Sequence, residues 1–90
     1  MKTPPEPSLI EYPSAFPIKV LGPQVEGFVE AIISVGRQFD PKLDAHKVEL
    51  RPSKGGKYLG ITLIVTATSR DQLDELYRTL SSHPMVKVVL

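Results

Sequence analysis

His46 and His83 are the only histidines in the ninety residues, and there is no cysteine. Without thiols the chain has no disulfide, thiolate nucleophile, Cys zinc site or Cys-ligated iron–sulfur cluster. A histidine metal centre would need both imidazoles to converge with carboxylates such as Asp40 or Asp44, and no spacing here fixes such a group. Solvated or capping histidines are the simpler reading. Asp44, His46 and Ser53 supply the residue types of a hydrolytic triad, but nothing supplies a nucleophile elbow or an oxyanion hole. The expectation is therefore no catalytic residue, no metal and no cofactor.

Anion chemistry has more to draw on. Lys54-Gly55-Gly56-Lys57 invites a phosphate-loop reading, but a P-loop would put Gly at position 51 and Ser or Thr after the lysine. Arg51 and Tyr58 stand there instead. A flexible hairpin connection explains the glycines equally well. Lys42, Lys47, Arg51, Lys54 and Lys57 nevertheless outnumber Asp44 and Glu49 in this stretch. Arg51, Lys54 and Lys57 are thus candidate contacts for an anion or an RNA phosphate. The paired aromatics on which RNA-recognition sheets stack bases are missing, and Tyr58 alone is a weak substitute. Farther upstream, Leu21-Gly22-Pro23-Gln24 joins a strand to a helix. Gly22 and Gln24 would lie at an electropositive helix start and are candidates for a small ligand; the alternative is a plain turn.

The whole-chain numbers set the scale. Eleven Lys and Arg against ten Asp and Glu leave a net charge of +1, with 41% hydrophobic and 23% charged residues. That describes an ordinary globular domain rather than a disordered chain or a binder driven by bulk positive charge. Ninety residues support one small core, a net stability on the order of 5 kcal/mol, and little depth for a water-excluding active site. No window approaches 18 apolar residues, and the start lacks a signal-peptide h-region, so a cytoplasmic protein without membrane contact is expected.

Alternation and spacing place the elements. Residues 1–13 hold Pro4, Pro5, Pro7 and Pro13 and read as a flexible tail before a single domain at 14–90. Phe16, Ile18 and Val20 alternate as a strand that Gly22-Pro23 ends. Val25, Phe28, Val29, Ile32 and Ile33 recur at helical spacing, predicting a helix over about Gln24 to Gln38. Ala45 to Arg51 reads as a second strand with His46, Val48 and Leu50 on one face. Tyr58 to Thr68 is the strongest strand pattern. Ser69 and Gln72 form a capping box that opens a helix to about Ser81. Met85 to Leu90 reads as a last strand with Val86, Val88 and Leu90 inward.

This order, β-α-β-β-α-β, is the split βαβ of a ferredoxin-like α+β sandwich. It predicts a four-stranded antiparallel sheet in order 4-1-3-2 with both helices on one face. The other face, without helices, would carry Lys19, Leu21, Thr62, Ile64, Thr66, Lys87 and Val89. These are either scattered surface hydrophobes or an interaction face for a homo-oligomer or a protein partner.

Four segments also carry a resemblance: Tyr12 to Gly22 with its FPIKVLG strand, Ser53 to Tyr58, Thr62 to Thr68 with the following TATS…LY…L join, and the terminal VKVVL. They resemble the YbeD-like family of small bacterial proteins of unknown function, from about Tyr12 to the C-terminus, with residues 1–11 outside. The resemblance implies a domain similar in architecture to ACT-type regulatory domains, and no catalytic residues. In such domains a glycine in the first strand–helix turn lets an effector approach the backbone, and Gly22 matches that position. The combined expectation is a non-enzymatic regulatory or interaction module that self-associates or binds a small effector or partner protein. An RNA- or anion-binding module using the 42–57 hairpin is the alternative.

Overall fold

A computed structural model describes residues 11–90; most of the proline-rich segment at 1–13 lies outside them. The elements follow the expected order: β1 (Ser14–Pro23), α1 (Phe28–Phe39), β2 (Glu49–Pro52), β3 (Tyr58–Ala67), α2 (Arg70–Ser82) and β4 (Val88–Val89). The strands form one antiparallel sheet in order β2-β3-β1-β4, which is the predicted 4-1-3-2. Among the described residues no helix is long and apolar enough to cross a membrane.

Period two in β1 and β3 sorts their side chains into two sets. Ile18, Val20, Ile61, Leu63 and Val65 are buried and share a core with Phe28 and Ile32 of α1 and Leu73, Leu76 and Leu80 of α2. Both helices therefore cover the same face. The alternate residues, from Ala15 to Pro23 and from Tyr58 to Thr66, stay exposed or half-exposed on the other.

Three elements depart from the sequence expectation. The first helix begins at Phe28 rather than Gln24, because Gly27 adopts a left-handed conformation (φ 90°) as its N-cap. Val25, expected in the apolar stripe, is consequently exposed. The second strand begins at Glu49 rather than Ala45. The Asp44 side chain accepts from the His46 N–H at 2.9 Å and draws Ala45–Lys47 into a short 3₁₀ turn. Leu50 pairs with Ile61 on the helix side, yet at the open sheet edge it remains 51% exposed.

The last strand is short and its parity is inverted. Val86 N–H donates to the His83 carbonyl, and Met85 N–H to His83 Nδ1, so a turn consumes residues that were expected to pair. Val20 then pairs with Val89 and Leu21 with Val88. Directly opposed residues share a face. Val89 therefore joins the core side and Val88 and Leu90 look outward, the reverse of the expectation for these three, while Val86, in the turn before the strand, packs against the core as expected. Lys19 and Leu90 exchange both backbone bonds, at 3.2 and 2.7 Å, which anchors the C-terminus to β1. The Tyr77 hydroxyl donates to the Leu90 carbonyl, and partial burial raises its pKa above the ordinary phenol value.

Two polar side chains pin the corner where α1, β3 and α2 meet. Asp40, 8% exposed, accepts from Thr66 N–H (2.9 Å) and Lys42 N–H (3.1 Å). Gln72 Nε2 donates to the Phe39 and Thr66 carbonyls, while its Oε1 accepts from Thr68 N–H. The expected Ser69 cap is present, with Ser69 Oγ accepting from Gln72 N–H at 3.0 Å.

Candidate functional site

On the helix-free face the antiparallel register sets residues of three strands side by side. Glu49 lies opposite Thr62, and Thr62 opposite Lys19; Arg51 lies opposite Gly60, and Gly60 opposite Leu21. Two cross-strand rows result, Glu49·Thr62·Lys19 and Arg51·Gly60·Leu21. Gly60 has no side chain to fill its place, and a groove of about 630 Å³ opens there, bordered by both rows together with Leu50, Pro52 and Ser53. An added Cβ at Gly60 would meet only the Arg51 carbonyl oxygen, at 3.6 Å. The depression therefore reflects the choice of residue rather than a packing constraint.

Charges ring the groove without being committed to each other. Among the described residues the ion pairs are Arg70–Asp74 and Arg78–Glu75, both on α2. Lys19, Glu49 and Arg51 belong to neither. Strand spacing puts Glu49 and Lys19 about 10 Å apart at their Cα atoms, with Thr62 between them. From the opposite edge of the sheet, just before β4, the Lys87 ammonium lies 5.5 Å from the centroid of the Tyr58 ring.

The structure joins two sets of candidates that the sequence keeps apart. Lys19, Leu21 and Thr62 of the expected interaction face and Arg51 of the expected anion set border one concavity. Ile64 and Thr66 continue the same face along β3. Val89 does not belong to it, for the parity reason given above, and Val88 takes its place. Lys54 and Lys57 are exposed on the hairpin, where Ser53 Oγ accepts from Tyr58 N–H and Gly56 takes a positive φ of 73°. Glu49 and Gly60 are site residues that sequence reasoning passed over. Only the register between strands reveals them.

Gly22 and Gln24 are not brought to a helix start. Gly22 is buried, and a Cβ there would fall against the Phe28 ring and 2.5 Å from the Met85 carbonyl oxygen. Gln24 is exposed, and its N–H donates to the Lys57 carbonyl at 3.0 Å. The triad residue types are separately employed: Asp44 holds the His46 backbone and Ser53 the Tyr58 backbone. His83 Nδ1 serves as a turn acceptor.

Comparison with solved structures finds the same architecture in the crystal structure of the ACT domain from GTP pyrophosphokinase of Chlorobium tepidum. The TM-score is 0.64, with 19% identity, covering 86% of this chain and 97% of that one. The C-terminal domain of the MgtC protein from Mycobacterium tuberculosis gives a TM-score of 0.62 and 20% identity, covering 90% and 87% of the two chains. These likenesses establish the fold alone. Sequence relatives are much nearer. A UPF0250 protein of Leptothrix cholodnii is 67% identical over 97% of this chain and 96% of its own length. One of Ralstonia nicotianae is 61% identical over 98% and 91%. One of Bordetella pertussis is 62% identical over 97% and 96%. The matching family model begins at residue 7, so it takes in part of the segment expected to lie outside any resemblance. That model is described as a protein of unknown function (DUF493) and matches residues 7–90; this chain belongs to that family, alongside the UPF0250 proteins.

Proposed function

We propose that the chain is a non-enzymatic regulatory or interaction module that works through its helix-free sheet face. It self-associates there, or receives a small effector or a partner protein, in a cytoplasmic setting. The observation that carries this reading is the grooved outer face of β1, β2 and β3, where Lys19, Glu49 and Arg51 surround a concavity without pairing to one another. Polar and charged groups arranged this way favour recognition and orientation over bond making. The ACT-type architecture supports the reading by analogy only.

Backbone amide spectra test it. On dilution from millimolar to micromolar protein, or on addition of a partner or effector, the shifts should concentrate at Lys19, Leu21, Gly60, Thr62 and Ile64. The Ile64→Lys variant, with a charge in the middle of the face, should weaken the response at least tenfold. Its thermal unfolding should move little, because Ile64 lies outside the buried core. Shifts confined to α1, α2 or the 53–57 hairpin would overturn the reading.

A second reading rests on a different observation. Lys54 and Lys57 are exposed on the hairpin beside Arg51, and Lys87 stands over Tyr58 close by. These four cations could follow a single-stranded RNA backbone. If so, binding of a uridine oligonucleotide should weaken steeply with salt. The Lys54→Ala/Lys57→Ala double variant should reduce the logarithmic salt slope by about 1.4, at ~0.7 per phosphate contact. No binding at low salt removes this alternative.

A further inference from the structure

The outer face is complementary to itself, and we infer that its occupant is a second copy of this chain, packed face to face about a two-fold axis that crosses the strands between Gly60 and Thr62. The inference rests on the reading of this face as the interaction surface and specifies its partner. Such an axis reverses strand direction and leaves each strand over its own counterpart. Position 60 of one copy then meets position 62 of the other, and the same exchange relates positions 49 and 51 of β2. The Thr62 side chain of each copy enters the depression left by Gly60 in the other. Glu49 of each copy comes opposite Arg51 of the other, so two uncommitted charges per chain become two symmetric ion pairs per dimer. Position 64 falls over position 58, placing Ile64 beside the Tyr58 ring, which already carries the Lys87 ammonium. A closed two-fold contact requires this kind of reciprocity, residue i on j and j on i.

The other two-fold in the plane of the face, parallel to the strands, fits less well. It would set Gly60 over Gly60 and Thr62 over Thr62, leaving empty space against empty space and a side-chain collision next to it. On charge the two axes are even, since this one pairs Glu49 with Lys19 and leaves Arg51 over Leu21, while the first pairs Glu49 with Arg51 and leaves Lys19 over Leu21. The fit of Thr62 into the Gly60 depression decides between them. Area sets the strength. Strands of ten, four, ten and two residues, at ~3.4 Å per residue and ~4.8 Å apart, offer roughly 400 Å² of projected surface per copy. A standard stable interface needs about 800 Å² per partner. The dimer should accordingly dissociate on dilution through the micromolar range rather than persist as an obligate pair. Packing of two twisted sheets at about −30° is the usual aligned arrangement.

Sedimentation equilibrium of the full chain tests the arrangement. The wild type should approach twice its 9.9 kDa mass at millimolar concentration and fall toward one copy below about micromolar. Glu49→Arg alone and Arg51→Glu alone should each weaken association at least tenfold. Combined in one chain, they should restore it to within a few-fold of wild type, because the exchanged pair still meets across the axis. Gly60→Leu, which fills the depression, should abolish the dimer while circular dichroism and melting stay close to wild type. A double charge variant as weak as the single ones would overturn the axis. A wild type that stays monomeric at millimolar concentration would overturn the second copy as occupant. In that case, amide shifts on this face with another partner would leave the broader reading standing, and their absence would remove both.

Discussion

Gly22→Ala should lower the melting temperature by roughly 12–24 °C. One methyl group is added, but it has no room: its carbon would sit against the Phe28 ring, 2.7 Å from Cε1, and 2.5 Å from the Met85 carbonyl oxygen. One neighbour is a fully buried side chain at the start of α1, and the other is backbone leading into β4. Neither can give way without moving an element. Overpacking of this kind costs about 3 kcal/mol, and a domain of this size loses ~4–8 °C per kcal/mol. Gly60→Ala is the matched control. It is a glycine of the same sheet whose added Cβ would make only ordinary contact, so its stability should change by no more than ~0.5 kcal/mol in either direction. Differential scanning calorimetry of the three proteins separates these outcomes. Adding Phe28→Leu to Gly22→Ala should recover only part of the loss, since the Met85 carbonyl still blocks the methyl. If Gly22→Ala melted like wild type, the turn would have slack, and the earlier reading of Gly22 as a place where an effector approaches the backbone would regain its footing.

Gly22 also shows where sequence reasoning reaches its limit. A glycine before a proline at the end of a strand announces a break. The letters cannot say whether the missing side chain makes room for a ligand or for the protein's own phenylalanine. The fold itself was legible, because it depends on local periodicity: alternation in β1 and β3, three- and four-residue spacing in α1 and α2, and the Ser69–Gln72 cap. Failures occurred where a short polar interaction overrides periodicity. Asp44 bends three residues of an otherwise alternating stretch, and the His83 turn shifts β4 by one position, which is enough to exchange Val88 and Val89 between faces. The candidate site was half legible. Lys19, Leu21 and Thr62 followed from alternation within a strand, and Arg51 from its charge. Their convergence on Gly60 depends on the register between strands distant in sequence, which alternation leaves free. In the sequence Glu49 is one acidic residue in a basic stretch, and it gains significance only once Thr62 and Lys19 stand in line with it.

The Asp40 corner is another feature without a local signature, since its bond to Thr66 spans 26 residues and that of Gln72 to Phe39 spans 33. Asp40→Ala should cost about 3 kcal/mol, a large share of the ~5 kcal/mol expected for such a domain. The substitution removes an acceptor held at 2.9 Å from Thr66 N–H and 3.1 Å from Lys42 N–H, and the site is too buried for full solvation of either donor. Asp40→Asn keeps one acceptor oxygen but turns an amide donor toward the other N–H, so it should fall between alanine and wild type, at about 1–2 kcal/mol. Chemical denaturation ranks the three, and amide exchange identifies the cause: Thr66 should lose protection before the rest of β3, and Lys42 in the loop after α1 should lose it together with Thr66. Gln72→Ala should not add independently to Asp40→Ala, because Gln72 holds the carbonyl of the residue whose N–H Asp40 holds. Once one clamp is gone, the second restrains a strand end that has already come loose, so the combined cost should be smaller than the sum. A strictly additive pair would mean that the two side chains brace separate elements. Coupling has a consequence for the outer face, because Thr66 lies on the same surface as Thr62 and Ile64. Asp40→Ala should weaken the concentration dependence of the Ile64 amide even where most of the protein remains folded, although Asp40 lies outside the two rows that frame the groove.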